Sequence, residues 1–224
     1  RTDRSSVCGC GANDIAPEDT AVILYTSGTT GRAKGVQLSH RCLLAPRRTE
    51  MGFGDWMQWH EPQEKLLAAL PLFHIGCLSA TMMAFYRGAC VVLMDVAAAE
   101  AMLVTMAHKR ITRAMLVPTL IEAMLALPRL SELDLSHLRL IMYGGSPIGP
   151  RSLARAIEAF RCQFAQGYGM TEVAGTCIFL QPQDHDPARP KYLLSIGRPG
   201  PTAELQVRDA EGEETYQALE RDRL

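Results

Sequence analysis

Three times in this chain a short apolar run empties into a glycine-rich segment. Ala21–Leu24 precedes Tyr25–Val36, Leu138–Tyr143 precedes Gly144-Gly145, and Phe164–Gln166 precedes Gly167. Runs of this length suit strands. Lys65–Leu70, Ala89–Met94 and Ala114–Val117 are three further strand candidates. Helical segments alternate with them: about 40–50 after a capping Ser39, then Leu78–Tyr86 up to Gly88, Ala97–Lys109, Thr119–Leu127 and Arg151–Arg161. Such alternation predicts an α/β domain with a largely parallel sheet flanked by helices. Ligands of such sheets sit at the carboxyl ends of the strands, so the three glycine-rich segments are expected to share one cleft. The first strand, Ala21–Tyr25, is expected to be buried.

Tyr25–Val36 reads Tyr-Thr-Ser-Gly-Thr-Thr-Gly-Arg-Ala-Lys-Gly-Val. Glycine lets backbone N–H groups approach an anion closely. The hydroxyls of Thr26, Ser27, Thr29 and Thr30 donate hydrogen bonds, and Lys34 supplies a mobile charge. That is a phosphate grip. It is not a P-loop, because no Gly-Lys pair occurs in the chain, and no Gly-x-Gly-x-x-Gly fingerprint is present. In Gln166-Gly167-Tyr168-Gly169-Met170-Thr171-Glu172 the glycines flank an aromatic face suited to a nucleobase. Thr171 is placed to bond a phosphate oxygen. Glu172 is a candidate Mg²⁺ ligand, since that ion accepts few protein carboxylates and otherwise keeps phosphate and water. The competing reading is a turn with a capping Thr and a solvated Glu.

Net charge −1 disfavours nucleic acid as a partner. No apolar stretch reaches membrane-spanning length without a charge or proline. Seven scattered cysteines fit reduced thiols and a cytoplasmic setting better than a disulfide framework, and Cys8-Gly9-Cys10 has no partners to complete a metal site.

The phosphate segment resembles the signature of the adenylate-forming superfamily, which includes the acyl-CoA synthetases. Gln166–Glu172 resembles the superfamily's adenine and phosphate motif residue for residue. Pro71-Leu72-Phe73-His74-Ile75-Gly76 is similar to its acyl-pocket motif, and Tyr143-Gly144-Gly145-Ser146-Pro147 to its Gly-Gly-[Ala/Ser]-Pro strand end. Ser195–Gly200 matches a weaker element. The resemblance covers residues 15–208, with 1–14 as a linker or frayed end and 209–224 as a charged tail outside the pattern.

The resemblance implies part of the large N-terminal domain of an acyl-CoA synthetase-like enzyme. The implied nucleotide contacts are Thr26, Ser27, Gly28, Thr29, Thr30, Gly31 and Lys34, then Gly145, Ser146 and Pro147, then Gln166, Gly167, Tyr168, Gly169, Met170 and Thr171. The implied acid pocket uses Phe73, His74, Cys77, Gly144, Gly145 and Gly169, with His74 positioning the carboxylate. Lys34, His74, Thr171 and Glu172 are the implied catalytic set. ATP and Mg²⁺ are the implied cofactors and CoA the implied co-substrate. The reaction is activation of a carboxylic acid to an acyl-adenylate, then thioester formation.

The superfamily's ribose-binding Asp motif and lid lysine have no counterpart here. The lysines are Lys34, Lys65, Lys109 and Lys191. The isolated chain is therefore expected to adenylate very slowly. Leu78–Tyr86 holds no acidic residue to pair a substrate amine, so an apolar acid is expected over an amino acid. Met82, Met83, Phe85 and Met94 are the candidate pocket wall. Loading of a carrier protein instead of CoA, and a non-catalytic nucleotide-binding remnant, are the alternative readings. Oligomeric state is left open by the sequence.

Overall fold

The computed structural model describes residues 14–27, 31–49, 53–59, 64–95, 98–186, 188–189 and 192–212. Nine strands and five helices follow one another among them: β1 (Thr20–Thr26), β2 (Lys34–Ser39), α1 (His40–Thr49), β3 (Lys65–Ala68), α2 (Ile75–Tyr86), β4 (Cys90–Leu93), α3 (Ala99–His108), β5 (Arg113–Leu116), α4 (Pro118–Leu125), β6 (Leu140–Gly144), α5 (Pro150–Phe160), β7 (Gln163–Met170), β8 (Gly175–Leu180) and β9 (Arg198–Pro199). The helix boundaries follow local chemistry. Ser39 Oγ accepts the Cys42 N–H at 3.2 Å and caps α1. Proline opens α4 and α5. Gly88, at φ 71°, follows α2.

Seven strands form one sheet in the order β4-β3-β5-β6-β7-β8-β9. The β4-β3-β5-β6-β7 portion is parallel, and β8 and β9 add antiparallel. After β4 the chain reverses its direction of travel and passes β3 to reach β5. Right-handed crossovers then require the later helices to lie on the opposite face from α2. The core shows this division. Leu67, Ala114, Leu116, Ile141, Tyr143 and Phe164 pack with side chains of α3, α4 and α5. Leu66 packs with Ala84 of α2, and Leu140 and Ala165 with Met83 of α2, Trp56 and Phe179. Alternate residues of the central parallel strands thus face different helix layers, which is why those strands are mostly apolar on both faces.

β1 and β2 form a separate two-stranded antiparallel sheet. Here the structure corrects the expected buried strand. Ile23 is 49% exposed and Tyr25 75%, and within β1 only Leu24 is buried. A hairpin in which one face packs inward leaves its alternate residues in solvent, even when the sequence is apolar at every step. The second correction concerns 166–172. The expected short strand and turn are one eight-residue strand, β7, running through both glycines to Met170, and a 3₁₀ turn over Thr171–Val173.

Candidate functional site

The carboxyl ends of β3, β6 and β7 lead into Leu70–His74, Gly145–Pro147 and Thr171–Val173 respectively. Three of the four sequence motifs therefore lie along one sheet edge. The switch in strand order falls between β3 and β5, the place where open α/β sheets leave a crevice. The hairpin brings the fourth motif. Leu24 and Leu38 cluster with Leu43 and Ala174, and Ile75, Leu78 and Met82 of α2 pack against them. Ala174 is two residues after Glu172, so the hairpin strands are docked beside the Thr171–Glu172 turn. Within the hairpin, Thr26 pairs across with Lys34 and the loop of residues 27–33 joins them. Gly28, Thr29 and Thr30 lie outside the described residues; Ser27, Gly31 and Lys34 are exposed.

Close backbone approach explains the glycines around the turn. A Cβ on Gly169 would collide with the Gly175 carbonyl, and one on Gly144 with the Gly167 carbonyl. The strand pairing slips between Tyr168 and Gly169, and Met170 at the end of β7 still pairs with Gly175. Tyr168, Met170, Thr171 and Glu172 are at least partly exposed there, as are Gly145, Ser146 and Pro147. An aromatic face, hydroxyls, backbone and a carboxylate are thus offered to one open edge.

Gln166 behaves differently. It is buried, and its side-chain amide lies 3.4 Å from the Tyr143 hydroxyl oxygen. The Tyr143 oxygen also lies 3.2 Å from His185 Nε2, while His185 Nδ1 lies 2.8 Å from the Gln181 carbonyl. With Nδ1 donating to that carbonyl, Nε2 accepts the tyrosine proton. This buried chain ties β6 to β7 beneath the two glycine segments, and no local sequence signal announces His185.

Burial holds the His185 imidazole below its ordinary value of 6.5, against the opposing pull of the Gln181 carbonyl and Asp184. A proton therefore binds the unfolded chain more readily than the folded one. Stability is expected to fall as pH drops below about 6.5 and to level off once the folded value is passed. Urea unfolding from about pH 7.5 to about pH 5 checks this. His185→Phe should flatten that part of the profile, and an unchanged slope would remove His185 as its source.

His74 caps the start of α2 with an extended backbone and is exposed. Its ring lies 4.7 Å from that of Phe73, also exposed. Cys77 is buried, and burial pushes its thiol up. The apolar cavity nearest these residues is lined instead by Gly76, Ser79, Ala80 and Met83 of α2, with Leu66, Met115, Met142, Thr176 and Phe179 from the sheet. It encloses about 60 Å³. Thr176 and Gly76 mark the end beside the motifs. Arg113 and Leu140, first residues of β5 and β6, mark the other, so the cavity runs along the strands beneath α2.

Of the expected wall residues, only Met83 lines this cavity. Met82 packs toward the hairpin and Phe85 is exposed, because neighbours on a helix point to different faces, while Met94, just after β4, joins the α3–α5 core. Met115 and Met142 were not anticipated. They are register partners on β5 and β6 and so share a face.

The structure thus packs a hydroxyl-bearing hairpin, through Leu24 and Leu38, beside an aromatic–Thr–Glu turn at the carboxyl edge of a parallel sheet. A profile for AMP-binding enzymes matches residues 4–218, and the chain belongs to that family. It is 37% identical over 203 residues to the fatty acid–[acyl-carrier-protein] ligase ScoC of Streptomyces coeruleorubidus, covering 90% of this chain and 39% of that protein. It is 34% identical over 206 residues to a medium/long-chain-fatty-acid–CoA ligase of Mycobacterium tuberculosis, covering 92% and 35%. The chain thus spans less than two fifths of the length of these relatives. Among solved structures, the o-succinylbenzoate CoA synthetase of Bacillus subtilis in complex with ATP and magnesium superposes with a TM-score of 0.76 at 27% identity, covering 91% of this chain and 40% of that one. The inhibitor-bound N-terminal domain of FACL13 from Mycobacterium tuberculosis gives 0.78 at 26% identity, covering 93% and 49%.

Proposed function

We propose that this chain is the nucleotide- and acid-binding part of an acid–thiol ligase. A carboxylate oxygen attacks the α-phosphorus of ATP, the bond to pyrophosphate breaks, and an acyl-adenylate forms. A thiol, that of CoA, then takes the acyl group and AMP leaves. The observation that carries this reading is the docking of the hairpin beside Thr171–Glu172 at the mouth of an apolar cavity. The negative charge that moves onto pyrophosphate needs donors already in place. Thr26, Ser27 and Lys34 supply them from the hairpin, and Thr171 from the turn. Tyr168 offers its face to the adenine, and His74 orients the carboxylate at the edge of the cavity.

Mg²⁺ fits this donor set. Among the described residues no group of three or more His, Cys, Asp or Glu gathers to hold a metal. Glu172 would be the protein ligand, with phosphate oxygens and water completing the shell, as this ion prefers. When bound, the ion neutralises charge on the triphosphate. The acid is apolar over most of its length, because methionines, leucine and phenylalanine line the cavity. A carrier-protein thiol is a second reading of the acceptor, favoured by the likeness to the acyl-carrier-protein ligase. No helix among the described residues is long and apolar enough to cross a membrane.

Lys34→Ala, made in the protein that contains this chain, is expected to lower ATP use about tenfold or more, since a charge-assisted bond contributes roughly 1.5–3 kcal/mol. ATP-pyrophosphate exchange measures it, and unchanged kinetics would take Lys34 out of the mechanism. In the same assay Glu172→Gln should raise the magnesium concentration needed for half-maximal rate. An identical titration would remove Glu172 as the ligand.

A further inference from the structure

Tyr143, Gln166 and Leu180 are register partners and form one row across β6, β7 and β8. The next row toward the carboxyl ends of β6 and β7 is Gly144, Gly167 and Phe179. Its two glycines make no cross-strand side-chain pair and leave the backbone its widest freedom. Just beyond them lie Gly145–Pro147 and Tyr168–Thr171, the segments read above as nucleotide contacts. What keeps the glycine row in place must therefore come from its neighbours.

His185 does this from the turn after β8. Its Nδ1 lies 2.8 Å from the Gln181 carbonyl, and its Nε2 lies 3.2 Å from the Tyr143 hydroxyl on β6. The imidazole thus bridges the strand on one side of β7 to the strand on the other, two strand spacings or about 10 Å. The Gln166 amide of β7 meets the same hydroxyl at 3.4 Å. Tyr143 is 0% exposed and His185 7%, and their rings meet edge to face at 5.8 Å. Asp184 reaches Arg198 of β9 at 3.8 Å, which fastens the turn to the antiparallel edge as well. A phenylalanine would fill the place of Tyr143 without burying an oxygen, so packing alone does not call for the hydroxyl.

We propose that His185 and Tyr143 are positioning residues for the nucleotide: their bond fixes β6 and β8 against β7 and so sets the height of the two glycine segments that receive ATP. This rests on the adenylating reading above and adds two residues to its site. Both act through Gly144 and Gly167 rather than by touching ATP.

Tyr143→Phe and His185→Phe, made in the protein that contains this chain and checked for cooperative thermal unfolding, test this by ATP-pyrophosphate exchange. The assay is run at about pH 8, where the imidazole is neutral. Each variant is expected to raise the KM for ATP about fivefold, as for the loss of one net hydrogen bond, with kcat held within about twofold. A substitution that only loosens the fold lowers the amount of active protein, and so lowers the apparent kcat while KM stays where it was. The double variant should have the KM of either single one, since both remove the same bond. Tyr143→Phe deletes one oxygen and keeps the ring, so the test stands even if His185→Phe does not fold. An unchanged KM for ATP in Tyr143→Phe, or a loss confined to kcat, overturns the role of the pair and leaves the adenylating reading standing. No exchange by the unaltered protein overturns both.

Discussion

Gly169→Ala is expected to cost about 3 kcal/mol of stability and to weaken nucleotide binding more than any side-chain deletion in the motif. A methyl group there has no room, because it falls on the Gly175 carbonyl. The neighbour is backbone, which cannot swing aside as a side chain tip does. Gly175 is itself held at φ 125° and Met170 pairs with it, so the two strands must part or the turn must shift. Either change displaces Thr171 and Glu172. Gly88→Ala is the control: it has positive φ but open space around it, and should cost only about 1–2 kcal/mol of backbone strain. Urea denaturation and nucleotide titration of the two variants give the comparison. If Gly169→Ala behaves like Gly88→Ala, or binds nucleotide normally, the close approach of β7 and β8 does not position the turn.

Glu64→Ala is expected to be as damaging, by a different route, at the opposite end of the sheet. Glu64 is 2% exposed and accepts from Thr112 Oγ1 at 2.6 Å, from Arg113 Nε at 3.2 Å and from Arg139. Arg113 is also buried, stacks over Trp59 at 4.6 Å and donates to the Trp56 carbonyl at 2.9 Å. Burial pulls its guanidinium below the ordinary value, and Glu64 opposes that pull. Without Glu64 the cation stays in the interior with only neutral acceptors, a loss of about 3–5 kcal/mol. Glu64→Leu combined with Arg113→Met should recover most of it, since a buried pair is worth little against well-packed apolar groups. Urea unfolding of the single and double variants decides. A loss under about 1 kcal/mol, or a double variant no better than the single, would contradict the role of Glu64 as the counterion of Arg113.

The elements between Lys65 and Phe160 are legible in the sequence because their signals are local. Pro118 and Pro150 open helices, Gly88 stops one, and apolar runs of four or five residues lie between them. Three things are not local. The hairpin partner β2 has no apolar run to mark it, since Gly35 and Gln37 alternate with Val36 and Leu38. The antiparallel strands β8 and β9 add to a sheet that the preceding pattern marks as parallel. The cavity wall gathers residues from α1, α2, β3, β5, β6 and β8, whose shared face only the register reveals. Glu64 and Arg139 stand 75 positions apart, and neither carries a motif. The motif strings were recognisable by resemblance, and the structure brings three of them to one sheet edge. Gln166 shows the limit of that kind of reading: it stands in the motif string, yet its side chain turns inward to Tyr143.

The greasy contact of Leu24, Leu38 and Leu43 with Ala174 has a mechanical consequence. It makes the β1–β2 hairpin and the turn that bears Glu172 two jaws on a common pivot. Their spacing is set by the girth of a few aliphatic groups. Trimming Leu38 by a methyl or two would slacken the jaws while leaving every polar tooth in place.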